Sequence, residues 1–188
     1  MTDRKGSLQH FALQTLKISL AGGYKAANGR RVDLSSELAR TQRNKTSIPP
    51  EQELDPLPEP SPSQPQVQVT NETALQAAER IYHKGEMPLA LNFANGIQPG
   101  GGFLLGADAQ EESLCRCSSL YMTLLGDPMY TAHKARKDTD CSDWAILSIE
   151  VPVFAREDGV LRSPPGPVAF SPARHLSRQR RHRIGRPG

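Results

Sequence analysis

The stretch 87-MPLALNFANGIQPGGGFLLGADAQEESLCR-116 decides how the rest of the chain is read. It opens on an apolar run, 87-MPLALNFAN-95, short enough for a buried strand. It continues into three consecutive glycines, Gly100, Gly101 and Gly102. It ends on apolar residues at helical spacing. Strand, glycine-rich loop and helix make the βα unit of an α/β domain. The predicted helix, 109-AQEESLCRCSSLYMTLL-125, puts Leu114, Cys117, Leu120, Tyr121 and Leu124 at core spacing, and 126-GDP-128 ends it.

Glycines after a buried strand let the backbone approach a ligand closely or take a positive φ. Open α/β sheets bind ligands beyond the carboxyl ends of their strands, where this loop lies. Its N–H groups, with the helix start, suit a diphosphate or sugar hydroxyls. The pattern fits neither the Walker motif nor G-x-G-x-x-G. Gln110, Glu111 and Glu112 fall in the first helical turn, where the macrodipole favours acids. Adjacent helix positions diverge by about 100°, so the two carboxylates are expected on different faces. One then holds a ligand while the other moves a proton. Burial and a like-charged neighbour raise the pKa of one member of such a pair, as a general acid requires.

Upstream, 7-SLQHFALQTLKISL-20 has helical spacing, with Ser7 as N-cap and Gly22-Gly23 as the stop. The segment 24-YKAANGRRVDL-34 reads as a hairpin turning at Asn28-Gly29. A short helix follows over residues 35–45, capped by Ser35 or Ser36. The Pro- and Glu-rich run 47-SIPPEQELDPLPEPSPSQPQ-66 reads as a loop or linker. Next come a short strand, 67-VQV-69, and a helix over 72-ETALQAAERIYHKG-85. Thr70 or Asn71 caps that helix, and Leu75, Ala78, Ile81 and Tyr82 share one face. Further strands are expected in 144-WAILSI-149 and across 167–170, with a turn at Asp158-Gly159. The organisation is then an N-terminal helical extension over 1–45, a Pro-rich linker over 46–66, and an α/β domain over 67–173. A basic tail over 174–188, RHLSRQRRHRIGRPG, has no apolar pattern and reads as disordered.

Composition narrows the function classes. Only 37% of residues are hydrophobic and 5% aromatic, with 16 prolines, so part of the chain is expected outside any core. The polar N-terminus is not secretory, and no apolar run approaches the ~18 residues a membrane span needs. Cys115, Cys117 and Cys141 are an odd set with no second pair or His cluster. They are read as reduced thiols, with Cys115 and Cys117 as packing residues and no metal site. On these features the chain is expected inside the cell, in cytoplasm or nucleus. His83 and His133 have no partners in the sequence and are expected at the surface. A net charge of +3 argues neither for nor against a polyanionic partner. RQRRHR resembles an import signal or a phosphate-contacting arm. Without a groove-reading motif, direct nucleic-acid binding is not expected.

NFAN, PGGG and QEE followed by SLCRCSSLY resemble the signature of microbial-type poly(ADP-ribose) glycohydrolases. GGYKAANGRRVDL, VQVTNETALQAA and SDWAILSIEVPVFAREDG are similar to further features of that family, so the resemblance covers roughly residues 7–173. It implies a macrodomain-like mixed sheet flanked by helices. It implies hydrolysis of the ribose–ribose O-glycosidic bond of poly(ADP-ribose), with no cofactor and no metal. Glu112 would be the catalytic acid/base and Glu111 would hold ribose hydroxyls. Gly100, Gly101 and Gly102 would line the ribose and diphosphate. Asn95 and Gln110 match substrate-contacting positions. Asn92 stands where more distant glycohydrolases often carry an acid. The implied partners are ADP-ribose, poly(ADP-ribose) and ADP-ribosylated proteins.

The resemblance stops near Ala173, where the family continues with further strands, helices and a second glycine-containing loop. The domain is therefore expected to be incomplete at its C-terminal side, and residues 174–188 to be foreign to the family pattern. A sheet lacking its later strands leaves an edge and apolar faces uncovered. Little or no hydrolase activity is expected from such a chain. A non-catalytic ADP-ribose-binding module or an inactive fragment is the alternative.

Overall fold

A computed structural model describes residues 4–54, 64–136, 142–162 and 168–173. The basic tail over 174–188 and Cys141 lie outside the described residues. Helix α1 spans Arg4–Ala21 and buries Phe11, Ala12, Thr15, Ile18 and Ser19, the stripe that a 3.6-residue period produces. Ser7 is inside this helix, not at its cap. Strands β1 (Gly23–Lys25) and β2 (Arg31–Asp33) form the expected hairpin, with Tyr24 opposite Val32. Helix α2 spans Ser35–Asn44, and its first turn is served by Asp33, whose Oδ1 accepts from Ser35 N–H at 2.9 Å. The N-cap expected at Ser35 or Ser36 is instead Leu34, which makes no side-chain cap bond, and Asp33 just before it serves the first turn.

Strand β3, Thr46–Ile48, starts inside the segment read as a linker. It pairs antiparallel with β5, Ala145–Leu147. The expected strand at 67–69 does not form. Val67 and Val69 are 87% and 93% exposed, and the segment has no strand partner among the described residues. Alternation gives a strand only where a neighbour completes its hydrogen bonds.

Helix α3, Ala74–His83, is capped by Thr73 in place of Thr70 or Asn71. The Thr73 hydroxyl accepts from Gln76 N–H at 3.2 Å, and the Gln76 side chain accepts from Thr73 N–H at 3.0 Å. This is the reciprocal capping box. Thr73→Ala is expected to cost about 1 kcal/mol, read from the midpoint of urea unfolding at unchanged slope. On its other side α3 is clamped by Arg162, whose guanidinium forks onto Glu79 at 2.5 and 2.9 Å. Those bonds hold the Glu79 carboxyl down to about 2.

Strand β4, Leu89–Leu91, runs parallel to β7, Val168–Ala173. Strand β6, Val151–Val153, pairs antiparallel with the other edge of β7. The order β4-β7-β6 is a mixed sheet flanked by helices, so the architecture is α/β.

The helix expected over 109–125 is two helices, α4 (Gln110–Cys117) and α5 (Leu120–Leu124). Ser118 between them is extended and bridges Val153 of β6, while Phe154 and Ala155 donate their N–H groups to Cys117 O. The sheet edge thus takes backbone groups that a continuous helix would have kept. Helix α6, Pro128–Ala135, follows where only a stop was expected. Asp127 is its N-cap, accepting from Met129 N–H at 3.0 Å, and Pro128 fills the first turn, where a missing N–H costs nothing. Asp127 is buried and also accepts from Ser47 Oγ at 2.9 Å and pairs with Lys45 Nζ at 2.7 Å. It therefore ties α6 to β3. One apolar cluster, including Phe11, Leu34, Phe103, Leu114, Met129 and Phe154, unites the N-terminal helix with the rest.

Candidate active site

Three pieces build the site: the end of β4, the loop after it, and the first turn of α4. Gln110 joins the first to the third. Its Nε2 donates to Leu91 O at 2.7 Å, and its Oε1 accepts from Phe93 N–H at 2.8 Å. The start of α4 is thus fixed beside the strand end. Asn95 holds a tight turn, its Oδ1 accepting from Ile97 and Gln98 N–H, each at 2.9 Å. Gly100 and Gly101 take left-handed φ values of 67° and 56°. A 3-10 turn over Phe103–Leu105 closes the loop, with Phe103 fully buried against Tyr121.

Glu111 and Glu112 are buried, at 4% and 8% exposure. Glu111 Oε2 accepts from Asn95 N–H at 2.7 Å, and Glu112 Oε1 accepts from Gly102 N–H at 3.0 Å. Asn92, also buried, points its Nδ2 at Glu111 Oε1 from 3.5 Å. The expectation that the two carboxylates part company fails here. A methyl carbon built on Gly101 would lie 2.3 Å from Glu112 Oε1 and 3.2 Å from Glu111 Oε2. Their Cα–Cβ bonds diverge, but the glutamate stems are long enough for both head groups to reach one glycine. Burial pushes the Glu111 carboxyl up to about 7. The bonds from Asn95 and Asn92 oppose this, and the nearby Glu112 adds to it.

The spacer between glycines and acids is pinned from below. Arg116, almost fully buried, donates to Ala107 O, to Asp108 Oδ1 at 2.7 Å and to Ser113 Oγ at 3.2 Å. Arg4 of α1 pairs with the same aspartate. Gln9 of α1 donates to Leu105 O at 3.2 Å. Phe93, Ile97 and Leu105 stand exposed along the loop as an apolar rim. Cys115 and Cys117 are buried free thiols. Burial raises both, Cys117 to about 12, so neither is a thiolate nucleophile at neutral pH.

The site thus brings Asn92, Asn95, Gly100, Gly101, Gly102, Gln110, Glu111 and Glu112 together. His83 is exposed and lies beside Glu79. His133 is not at the surface. It is 8% exposed and its Nδ1 sits 2.8 Å from Gly96 O in the site loop. Recognising α6 from its Asp-Pro start would have placed Met129, Tyr130 and His133 on one buried face. Among the described residues no cluster of His, Cys, Asp or Glu could hold a metal ion. No described helix is long and apolar enough to cross a membrane.

A family model, microbial-type PARG, catalytic domain, matches residues 12–156. The crystal structure of poly(ADP-ribose) glycohydrolase from Thermomonospora curvata matches with a TM-score of 0.81 at 35% identity, over 90% of this chain and 63% of that one. The same protein bound to the inhibitor ADP-HPD gives 0.78 and 35%, over 91% and 63%. Poly(ADP-ribose) glycohydrolase from Deinococcus radiodurans in complex with ADP-ribose gives 0.65 and 32%, over 77% and 59%. The chain therefore spans less than two thirds of these structures. No curated protein matches it.

Proposed function

The chain belongs to the family of microbial-type PARG catalytic domains, and we propose that its paired glutamates form a site that binds ADP-ribose units and is built to hydrolyse the ribose–ribose O-glycosidic bond, with little turnover expected of a chain that spans less than two thirds of its solved relatives. The observation that carries this is the convergence of Glu111 and Glu112 on Gly101, inside a loop of inward-facing N–H groups. Glu112 is the acid/base: it protonates the departing ribose oxygen and then takes a proton from water attacking an oxocarbenium-like centre. Glu111, titrating near 7, meets the ribose hydroxyls and can accept from or donate to them. The glycines leave room for sugar and diphosphate against the backbone. Asn92, Asn95 and Gln110 keep the carboxylates and the strand end in register.

The test is release of ADP-ribose from poly(ADP-ribose) by the purified chain, with Glu112→Gln as control. Release that disappears in the variant supports the proposal. ADP-ribose binding by calorimetry without release identifies a binding module, and with it the low turnover expected from the sequence. Absence of both release and binding overturns the proposal.

A further inference from the structure

We propose that His133 is a positioning residue for this site, holding the 95–98 turn in the conformation that aims Asn95 N–H at Glu111. The inference rests on the functional reading above only for its consequence, not for its geometry. His133 Nδ1 lies 2.8 Å from Gly96 O, and its Nε2 lies 2.5 Å from Ser142 Oγ. A carbonyl oxygen can only accept, so Nδ1 carries a proton. Ser142 Oγ, which also accepts from Trp144 N–H at 3.3 Å, has a proton it can donate to Nε2. The proposal assigns the ring the Nδ1–H tautomer, with Nδ1 donating to Gly96 O and Nε2 accepting from Ser142 Oγ. The ring meets Trp144 edge-on, with centroids 6.2 Å apart.

The anchor is itself tied down by hydrogen bonds. Trp144 Nε1 donates to Ser47 Oγ at 2.8 Å, Ser47 donates to Asp127, and Asp127 caps the helix that carries His133. From the other side, Gly96 follows Asn95, whose N–H reaches Glu111 Oε2 at 2.7 Å. The turn is thus gripped at Asn95 by Glu111 and at Gly96 by His133. Its own Asx bonds to Ile97 and Gln98 set its shape but do not fix it to the body of the protein. Removing the imidazole donor frees the second attachment and lets Asn95 leave the carboxylate.

Two measurements test this, the first on the unaltered chain. Two-bond proton–nitrogen correlation of the imidazole at neutral pH is expected to show the Nδ1–H tautomer for His133. An Nε2–H tautomer overturns the proposal. The second compares His133→Leu with His133→Asn, whose amide nitrogen stands near the position of Nδ1. In His133→Leu, hydrogen exchange at Asn95, Ile97 and Gln98 is expected to accelerate about tenfold while core amides keep their rates. His133→Asn is expected to restore the loop rates, and ADP-ribose affinity is expected to fall and recover in parallel. Unchanged exchange at Asn95, equal acceleration of all amides, or no rescue by asparagine refutes the positioning role. If the unaltered chain does not bind ADP-ribose, the functional reading fails while the tautomer and exchange results still decide this one.

Discussion

Gly101→Ala is expected to disable the site while leaving the fold largely intact, and Gly106→Ala is expected to do the reverse. Both glycines have left-handed φ, 56° and 77°, where an L side chain costs about 1–2 kcal/mol. What separates them is the atom each new methyl would strike. At Gly101 it is Glu112 Oε1 at 2.3 Å, the end of a flexible side chain. The carboxylate can swing away, so the steric part costs little stability, but Glu112 then loses its bond from Gly102 N–H. At Gly106 the methyl meets Lys5 O at 2.6 Å and Gln9 Cγ at 3.0 Å. Backbone cannot swing, so α1 must lift from the loop it covers. Gly106→Ala is therefore expected to lower stability by about 3 kcal/mol, within the range for overpacking plus backbone strain. Gly101→Ala is expected to lose about half that, with the Gly102 amide exchanging faster and the proposed ADP-ribose binding lost. Urea unfolding and hydrogen exchange separate the two patterns. A Gly101→Ala chain with an unperturbed Gly102 amide contradicts the placement of Glu112.

Local pattern makes much of this fold readable, and the errors fall where a distant partner decides. Helix α3 and the hairpin at Asn28-Gly29 depend on spacing and turn chemistry within a dozen residues, and both form near their expected bounds. The run from Gln110 to Leu124 has no glycine or proline and keeps its apolar spacing throughout. Nothing within it announces that Ser118 will bridge Val153. Strand β3 is three residues long, and only its partner β5, far along the chain, makes it a strand. Val67 and Val69 show the converse, an alternating pattern without a neighbour. At the site, the residue types are legible in the sequence but their meeting point is not. A helical wheel separates Glu111 from Glu112, whereas side-chain reach brings both to Gly101. The burial of His133 escapes a local reading because 126-GDP-128 serves two roles. Its glycine stops one helix, and its Asp-Pro pair starts the next.

Glu111→Gln is expected to make the protein more stable at pH 8 and to remove the share of its stability change between pH 5 and 8 that comes from this carboxyl. Burial raises the carboxyl to about 7 in the fold, against 4.5 for the free group. The folded chain therefore binds this proton more tightly than the unfolded one. Its stabilising contribution is complete below about pH 4.5 and is lost as pH rises through about 7. A tenfold tighter hold on a proton corresponds to about 1.4 kcal/mol, so a rise from 4.5 to about 7 makes the buried charge cost on the order of 3 kcal/mol at pH 8. Glutamine keeps an oxygen to accept from Asn95 N–H and carries no charge to bury. Its amide also faces Asn92, whose Oδ1 is buried without a partner among the described residues, and two amides can pair in either orientation. The same substitution is expected to weaken ADP-ribose binding, because the hydroxyl-accepting charge is gone. A gain in stability at pH 8 joined to a loss of affinity is what an active-site carboxylate held at a cost to the fold produces. Urea unfolding of both chains at pH 5 and pH 8 checks this. Equal stability differences at the two pH values would show that Glu111 is not the group that takes up the proton.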